Sequence, residues 1–321
     1  MTPDKIISDL EYLIEARITE FNKSMPAVER KVLQEIELLA KDLETYSDGT
    51  IKANAKNVRL IVKIRQRIQQ IIFDGQYGKK LNELVKTYED IGKLQNAYFS
   101  ATVDQFKIPA VLAELEKQAI SMTVESLGEA GMNVNVLTPV QQILNKNITT
   151  GGKYKDFIQE VRGYLTTDNE TEGRLVRYSK QITTDALNQY SASYNKVISD
   201  DLGLEWYRYS GSLRKTSREF CVKMIEAKKG CMPYFHVSQI PELLKGHICG
   251  ESIPLYDKTG LPQGMIAGTN TANFYVNRGG YSCNHQITAV PSVLVPEDLY
   301  FFLIVFQFLH QVFFYKSYLL I

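Results

Sequence analysis

Residues 173–210 have the sequence GRLVRYSKQITTDALNQYSASYNKVISDDLGLEWYRYS, and this stretch decides the fold because its character changes from helical to extended. Apolar and aromatic residues at helical spacing predict one long helix from about Gly173 to Asp201: Leu175, Tyr178, Ile182, Ala186, Tyr190, Tyr194 and Val197. Gly203 follows at a position where the end of a helix favours a left-handed residue. The aromatic-rich residues 205–210 then predict a strand.

The N-terminal part of the chain carries apolar residues at helical spacing from Ala27 to about Leu127. Turn-forming residues at 47–49 and 74–75 divide it, and Pro109 lies where a further helix can begin. The pattern predicts successive amphipathic helices with these apolar stripes: Val28, Val32, Ile36, Leu39 and Leu43; Val58, Ile61, Arg65, Ile68 and Ile72; Leu81, Leu84, Val85, Tyr88, Ile91 and Tyr98; Leu112, Leu115 and Ala119. We interpret the stripes as helix-on-helix core, in a helical bundle or an extended helical arm over residues 1–130.

The segment that follows Gly203 is dense in Gly, Pro, Asn and Ser, a composition typical of loops between short strands. Two further strands are predicted at 274–276 and 286–290. We therefore expect an α+β domain over residues 131–298 with a short antiparallel sheet. The predicted fold class is α+β, with a long-helix N-terminal region followed by this smaller domain.

The composition is that of an ordinary globular protein, with 44% hydrophobic and 23% charged residues. Since 37 basic side chains nearly balance 36 acidic ones, a nucleic-acid surface would have to be local, and any DNA contact is expected to be non-specific. The first ten residues lack the basic flank and apolar run of a secretory signal. We therefore expect synthesis in a reducing cytoplasm, where a disulfide framework would not form.

All four cysteines and three of the four histidines fall between residues 221 and 285. Thiolate and imidazole are the ligands that zinc prefers, and a structural site needs four ligands in a tetrahedron. The candidate ligands for a structural zinc ion are Cys221, His247, Cys249, Cys283 and His285. Because the segment has no Cys-x-x-Cys pair, the alternative of reduced buried cysteines and hydrogen-bonded histidines stays open.

A thiolate nucleophile activated by an imidazole is a second alternative for the same residues. Cys283 with His247, or Cys221 with His236, could form such a pair. The chain carries no phosphate-binding Gly-rich loop, no Gly-x-Ser-x-Gly elbow and no His-Glu-x-x-His helix that would point to another enzyme class.

Four segments occur in an order and at a relative spacing that together resemble the phage Mu F-like head-morphogenesis family. They are Tyr178–Asn188 in the long helix, the aromatic Leu204–Arg208, the Thr-x-Arg segment Arg214–Cys221, and Asn277–His285 with its Gly-Gly-Tyr-x-Cys-x-His ending. The resemblance covers residues 175–290. Gln181 departs from the family pattern, which commonly has Arg there, and Ser212-Leu213 replaces an acidic residue.

The motif residues suggest an architectural role. Gly279 and Gly280 would permit a tight or left-handed turn before the last strand, and Arg218 could pair with a carboxylate or a backbone carbonyl. Trp206 is expected to anchor the sheet against the long helix.

The resemblance implies a non-enzymatic minor head protein of a tailed phage or prophage, made in the bacterial cytoplasm and located in the virion. Its implied partners are the portal, the scaffold or other capsid proteins, with a homo-oligomer as a further alternative. Two other hypotheses remain: a phage-borne effector or enzyme that uses Cys/His or zinc chemistry, and a membrane-associated binding protein.

The membrane hypothesis depends on the apolar C-terminal segment, residues 299–321, which is long enough to cross a bilayer as a helix. Polar residues interrupt it: Gln307, His310, Gln311, Lys316 and Ser317. A buried or partner-bound helix, or a truncated or frame-shifted gene end, are the alternatives.

Overall fold

Helices dominate the part of the chain that the computed structural model describes, namely residues 2–73, 75–166, 172–226, 231–256, 258–277 and 279–299. Nine helices precede the first strand within these ranges: α1 (Pro3–Lys23), α2 (Met25–Ala40), α3 (Ala55–Phe73), α4 (Gln76–Thr102), α5 (Val111–Leu127), α6 (Glu129–Met132), α7 (Thr138–Thr149), α8 (Tyr154–Leu165) and α9 (Arg174–Asp201). A π-helical turn, Asn133–Leu137, joins α6 to α7. The predicted α+β class is confirmed.

Short strands and short helices follow α9. In chain order they are β1 (Trp206–Ser210), α10 (Glu219–Glu226), β2 (Tyr234–His236), α11 (Ile240–Leu244), β3 (His247–Ile248), β4 (Glu251–Ser252), β5 (Leu255–Tyr256), β6 (Leu261–Pro262), α12 (Phe274–Asn277) and β7 (Gln286–Val290). The predicted strands at 205–210 and 286–290 are therefore present, and the first begins one residue later than predicted.

The prediction of a strand at 274–276 is wrong, because these residues form the short helix α12. Asn270 starts that helix: its side-chain oxygen accepts from the backbone N–H of Ala272, and its carbonyl accepts from the N–H of Phe274, both at 2.9 Å. An Asx turn of this kind favours a helix start over an extended chain.

The described residues form two compact units. We call them the helical unit, within Ile14–Asp90 and Glu116–Ala186, and the mixed unit, within Met1–Leu13, Ile91–Leu115 and Leu187–Ile321. The predicted division of the chain near residue 130 stays a prediction about domain organisation.

In the helical unit, α2 packs against α3 and α8, and α3 also packs against α7. The buried face of α3 carries Leu60, Ile61, Ile64, Ile68, Ile71 and Ile72, and each such side chain contributes about 1.5–3 kcal/mol through burial. Val58 was expected on this face but is 49% exposed. The buried carboxylate of Glu29 accepts from the backbone N–H of Leu175 in the first turn of α9, at 3.2 Å, where it faces the positive end of the helix dipole.

The mixed unit is built on an antiparallel sheet with strand order β2-β1-β7. Trp206 pairs with His236 on one side and Val290 on the other, and Ser210 pairs with Gln286. Two small hairpins, β3–β4 and β5–β6, complete the described strands of this unit. Every residue of β7 is buried, so side chains cover this strand on both faces.

Trp206 lies in an apolar cluster with Val290, Val295 and Leu299. Contact between β1 and α9 is made by the next residue, Tyr207, whose hydroxyl lies 3.0 Å from the hydroxyl of Ser199. The strand and the long helix are therefore joined at Tyr207, whereas the anchor was predicted at Trp206.

A buried polar network also joins the C-terminal half of α9 to β7. Asn195 accepts from the backbone N–H of Ala289 at 2.7 Å and donates to Gln95 on α4 at 3.1 Å. Gln95 in turn donates to the carbonyl of Ser191 at 2.7 Å, and Gln286 of β7 donates to Asn188. Because buried polar groups are costly when unpaired, this network fixes the register of α9 on the sheet.

No helix among the described residues is long and apolar enough to span a membrane. Residues 300–321 of the C-terminal apolar segment lie outside the described residues, and the three hypotheses about that segment stay predictions.

Candidate functional site

Two segments that are distant in the sequence meet at one end of the central strand β1. In the first, Arg214–Ser217 forms a turn, and α10 begins directly after Arg218, so that Cys221 lies in its first turn. In the second, residues 279–285 lead into β7 and carry Cys283 and His285. Tyr209 of β1, which pairs with Ile287, lies where the two segments meet.

The side chains of Cys221, Cys283 and His285 form a compact buried cluster with Tyr209. The two sulfur atoms are 4.0 Å apart, and Cys283 Sγ lies 3.5 Å from Nδ1 of His285. The Tyr209 hydroxyl lies 3.3 Å from Cys221 Sγ and 3.7 Å from Cys283 Sγ. The potential ligand atoms of the two cysteines and the histidine all lie within 4.8 Å of one another.

Arg218 holds the two segments together. Its guanidinium donates to the carbonyl of Gly279 at 2.8 Å and to the carbonyl of Tyr281 at 2.6 Å. Of the two kinds of partner predicted for Arg218, backbone carbonyls are therefore the kind observed. Hydrogen bonds from a charged donor are worth about 1.5–3 kcal/mol each, so this single side chain contributes strongly to closing the loop.

The loop itself is tightly built around glycine. Gly280 has φ +101°, and a Cβ at this position would overlap the carbonyl oxygen of Gly264. Gly279 has an ordinary φ, but a Cβ there would overlap Cys221 Sγ and lie 3.1 Å from Cys283 Sγ. Ser282, directly before Cys283, adopts the left-handed φ of +55°. The tight turn predicted from Gly279-Gly280 is thus present. Each position requires glycine because a Cβ would overlap different neighbouring atoms.

The environment of the cluster favours the neutral forms of the Cys221 thiol and the Tyr209 phenol. The hydrogen bond with Cys283 and burial together raise the pKa of the Cys221 thiol far above its ordinary value. Burial also raises the pKa of Tyr209, and the neighbouring thiols add to that increase. His285 is only 4% exposed, and its Nε2 has no hydrogen-bond partner among the described residues.

No family model, no curated protein and no solved structure matches this chain. The chemistry of the cluster must therefore be inferred from its own geometry.

The structure brings together three of the five predicted zinc ligands and separates the other two. Cys249 forms a disulfide with Cys231, 18 residues earlier in the sequence, so the expectation that no disulfide forms is wrong for this pair. Cys249 lies in the turn between β3 and β4 with φ +55°, and its Cα is 5.7 Å from that of Cys231, within the range that a disulfide requires.

His247 is also removed from the predicted ligand set. Its side chain is 51% exposed, and its Nδ1 pairs with a carboxylate oxygen of Glu242 at 2.8 Å. Lys245 and then His247 lower the pKa of Glu242, which is consistent with an ion pair at the surface.

The two predicted cysteine–histidine nucleophile pairs are not supported by these positions. His236 lies beside Ser238 and Glu205, with its Nδ1 2.8 Å from the Ser238 hydroxyl, and His247 pairs with Glu242. The histidine nearest Cys283 is His285, which was predicted as a metal ligand and lies 3.5 Å from the sulfur.

Tyr209 was not among the residues predicted for this site. Its signal was the aromatic run of β1, but Trp206, Tyr207 and Tyr209 could not be distinguished without knowing which face each one takes. The polar network of α9 had a clearer signal: Thr184, Asn188, Ser191 and Asn195 recur at helical spacing on a face that also carries aromatic residues, and all four are buried.

Proposed function

We propose that this chain is a non-enzymatic minor head protein of a tailed phage or prophage, of the phage Mu F-like kind. Its role would be to assist head assembly, associated with the portal or packaged inside the head. The observation that carries this proposal is the closure of the Thr-x-Arg segment on the Gly-Gly-Tyr-x-Cys-x-His segment.

These two segments supported the resemblance only through their order and spacing in the sequence. Their contact is an independent observation, because Arg218 donates to the carbonyls of Gly279 and Tyr281 across about 60 residues of chain. Segments that belong to one family pattern are expected to form one structural module, and these two do.

The other two segments of the resemblance adjoin the same module. Asn188, the last residue of the segment in α9, accepts from Gln286, the neighbour of His285. The aromatic segment Leu204–Arg208 enters β1, which pairs with β7 along its length. Three of the four segments, and the end of the segment in α9, therefore lie within the mixed unit, which supports the proposed relationship.

The environment of the cysteines favours a structural role for them over a role as nucleophiles. A nucleophilic thiolate needs a lowered pKa and access for a substrate. Cys221 and Cys283 are 1% and 3% exposed, and the pKa of Cys221 is raised. These conditions suit groups that hold a fold together.

The partners we propose are those of a head protein: portal, scaffold or other capsid proteins, or further copies of this chain. Contact with packaged DNA would be non-specific and limited to local basic faces, because the chain as a whole has a net charge of only +1. The proposed location is the virion, after synthesis in the bacterial cytoplasm.

Complementation tests the proposal in the phage or prophage that encodes the chain. Deletion of the gene is expected to reduce the yield of infectious, DNA-filled particles, and the full-length chain supplied in trans should restore it. Arg218→Ala should restore it several-fold less well, because the loss of two charge-assisted hydrogen bonds reduces the folded fraction.

Lys215→Ala is the matched control, since Lys215 is an exposed basic residue in the same turn. It should complement like the unaltered chain. Normal particle yield after deletion of the gene would contradict a role in head assembly.

A further inference from the structure

We propose that Cys221, Cys283 and His285 bind one Zn²⁺ ion, with the Tyr209 hydroxyl at the fourth position of the tetrahedron. The ion would clamp α10 to the loop before β7 and serve folding rather than catalysis. This inference does not depend on the proposed role in the phage head.

The distances between the ligand atoms fit a tetrahedral zinc ion. With Zn–S near 2.3 Å and Zn–N near 2.1 Å, tetrahedral angles separate two sulfurs by about 3.8 Å and a sulfur from a nitrogen by about 3.6 Å. The corresponding distances are 4.0 Å between the sulfurs and 3.5 Å from Cys283 Sγ to His285 Nδ1. The third pair, Cys221 Sγ and the His285 nitrogen, lies within 4.8 Å, so a side-chain shift of up to about 1.2 Å would bring it to the tetrahedral separation.

The Tyr209 hydroxyl provides a further oxygen atom within reach of both sulfurs. Its oxygen lies 3.3 Å and 3.7 Å from the two sulfurs, close to the separation of about 3.5 Å expected between an oxygen and a sulfur on the same zinc ion. Because Tyr209 is fully buried within the mixed unit, it closes the site in the way that a structural centre requires.

Gly279 leaves space beside the proposed ligands. A Cβ at this residue would overlap Cys221 Sγ and would lie 3.1 Å from Cys283 Sγ and 3.2 Å from the Tyr209 hydroxyl. A Cβ at Gly279 would therefore lie among three of the four proposed ligand atoms. Arg218 fixes this backbone from the other side through the Gly279 carbonyl.

Charge and hydrogen bonding also favour an ion. Binding would release the two thiol protons, and the two thiolates would then balance the charge of the divalent cation, so the zinc, the thiolates and a neutral Tyr209 phenol together would bury no net charge. The buried His285 ring has one nitrogen near Cys283 and the other without a hydrogen-bond partner among the described residues. A buried imidazole so poorly satisfied is uncommon, and coordination would give Nδ1 a stronger partner than a thiol, while Nε2 would stay without one in the described part of the chain.

Metal analysis of the full-length chain tests the proposal. Protein produced with zinc in the medium and purified without chelators should contain about one equivalent of zinc. Replacement by Co²⁺ should produce the visible bands of a tetrahedral site and thiolate-to-cobalt charge transfer in the near ultraviolet. Less than roughly a tenth of an equivalent of zinc would overturn the proposal.

Variants identify the ligands. Cys221→Ser, Cys283→Ser and His285→Gln should each lose the zinc and the cobalt bands, whereas His247→Gln and the double variant Cys231→Ser/Cys249→Ser should keep both. Retention of zinc in Cys221→Ser/Cys283→Ser, or a Cys221–Cys283 disulfide in the freshly purified native chain, would overturn the assignment.

Gly279→Ala and Tyr209→Phe leave the cysteine and histidine ligands in place, so they test the site if a ligand variant fails to fold. Gly279→Ala should lower zinc affinity by at least about 10–100-fold, because the added Cβ fills the space beside the ligands. Gly163→Ala in α8 is the control and should not change the affinity, because a Cβ there meets nothing within 4 Å. Tyr209→Phe should lower the affinity to a similar extent. Unchanged affinity in Tyr209→Phe would overturn the assignment of the fourth position.

Discussion

Gly280→Ala is expected to destabilise the mixed unit by about 3–5 kcal/mol, because two costs add. The residue has φ +101°, which an L side chain rarely adopts, and a Cβ would overlap the carbonyl oxygen of Gly264 and lie 3.3 Å from the Cα of Met265. Since these obstacles are backbone atoms, rotation of a side chain cannot relieve the overlap. Urea unfolding followed through the fluorescence of Trp206, the only tryptophan of the chain, measures the loss.

Gly268→Ala separates the two costs. Gly268 has φ +82°, but a Cβ there would meet nothing within 4 Å, so only the backbone strain of about 1–2 kcal/mol should appear. Equal losses in the two variants would show that close packing of the Gly280 loop against Gly264 is not present in solution.

Asn195→Ala is expected to cost about 3–5 kcal/mol, the second large effect. The substitution leaves the backbone N–H of Ala289 and the side-chain oxygen of Gln95 without their partner in the interior, and it also creates a cavity. The same urea unfolding experiment measures the change in free energy.

The exposed Gln181 on α9 provides the control, and Gln181→Ala should change stability by no more than about 0.5 kcal/mol. A double-mutant cycle between Asn195 and Gln95 should give a coupling energy of about 0.5–3 kcal/mol. Additive effects would contradict the hydrogen-bonded network between α9, α4 and β7.

The long helices could be predicted from the sequence because burial of one helix face places apolar residues at helical spacing, and many residues in each helix follow that spacing. The buried isoleucines of α3 follow that period, and single errors such as Val58 do not change the helix. Short elements lack this redundancy. At residues 274–276 the aromatic and β-branched side chains favour a strand, but the local hydrogen bonds of Asn270 favour a helical turn, and the turn prevails.

The candidate site could be predicted in part. Clustering of cysteine and histidine in the sequence pointed to Cys221, Cys283 and His285, which the fold does bring together. It could not exclude Cys249 and His247, because their partners, Cys231 and Glu242, are determined by the local path of the chain around β3. The disulfide could not be predicted, because the expectation of a reducing cytoplasm says nothing about which two cysteines the fold brings together.

Mass spectrometry of purified, DNA-filled particles tests the proposed head function most directly. In particles from the phage or induced prophage that encodes this chain, we predict peptides from both the helical unit and the mixed unit, at a level that persists through repeated purification. Absence of these peptides, in a preparation where the portal and major capsid proteins are detected, would contradict the proposal.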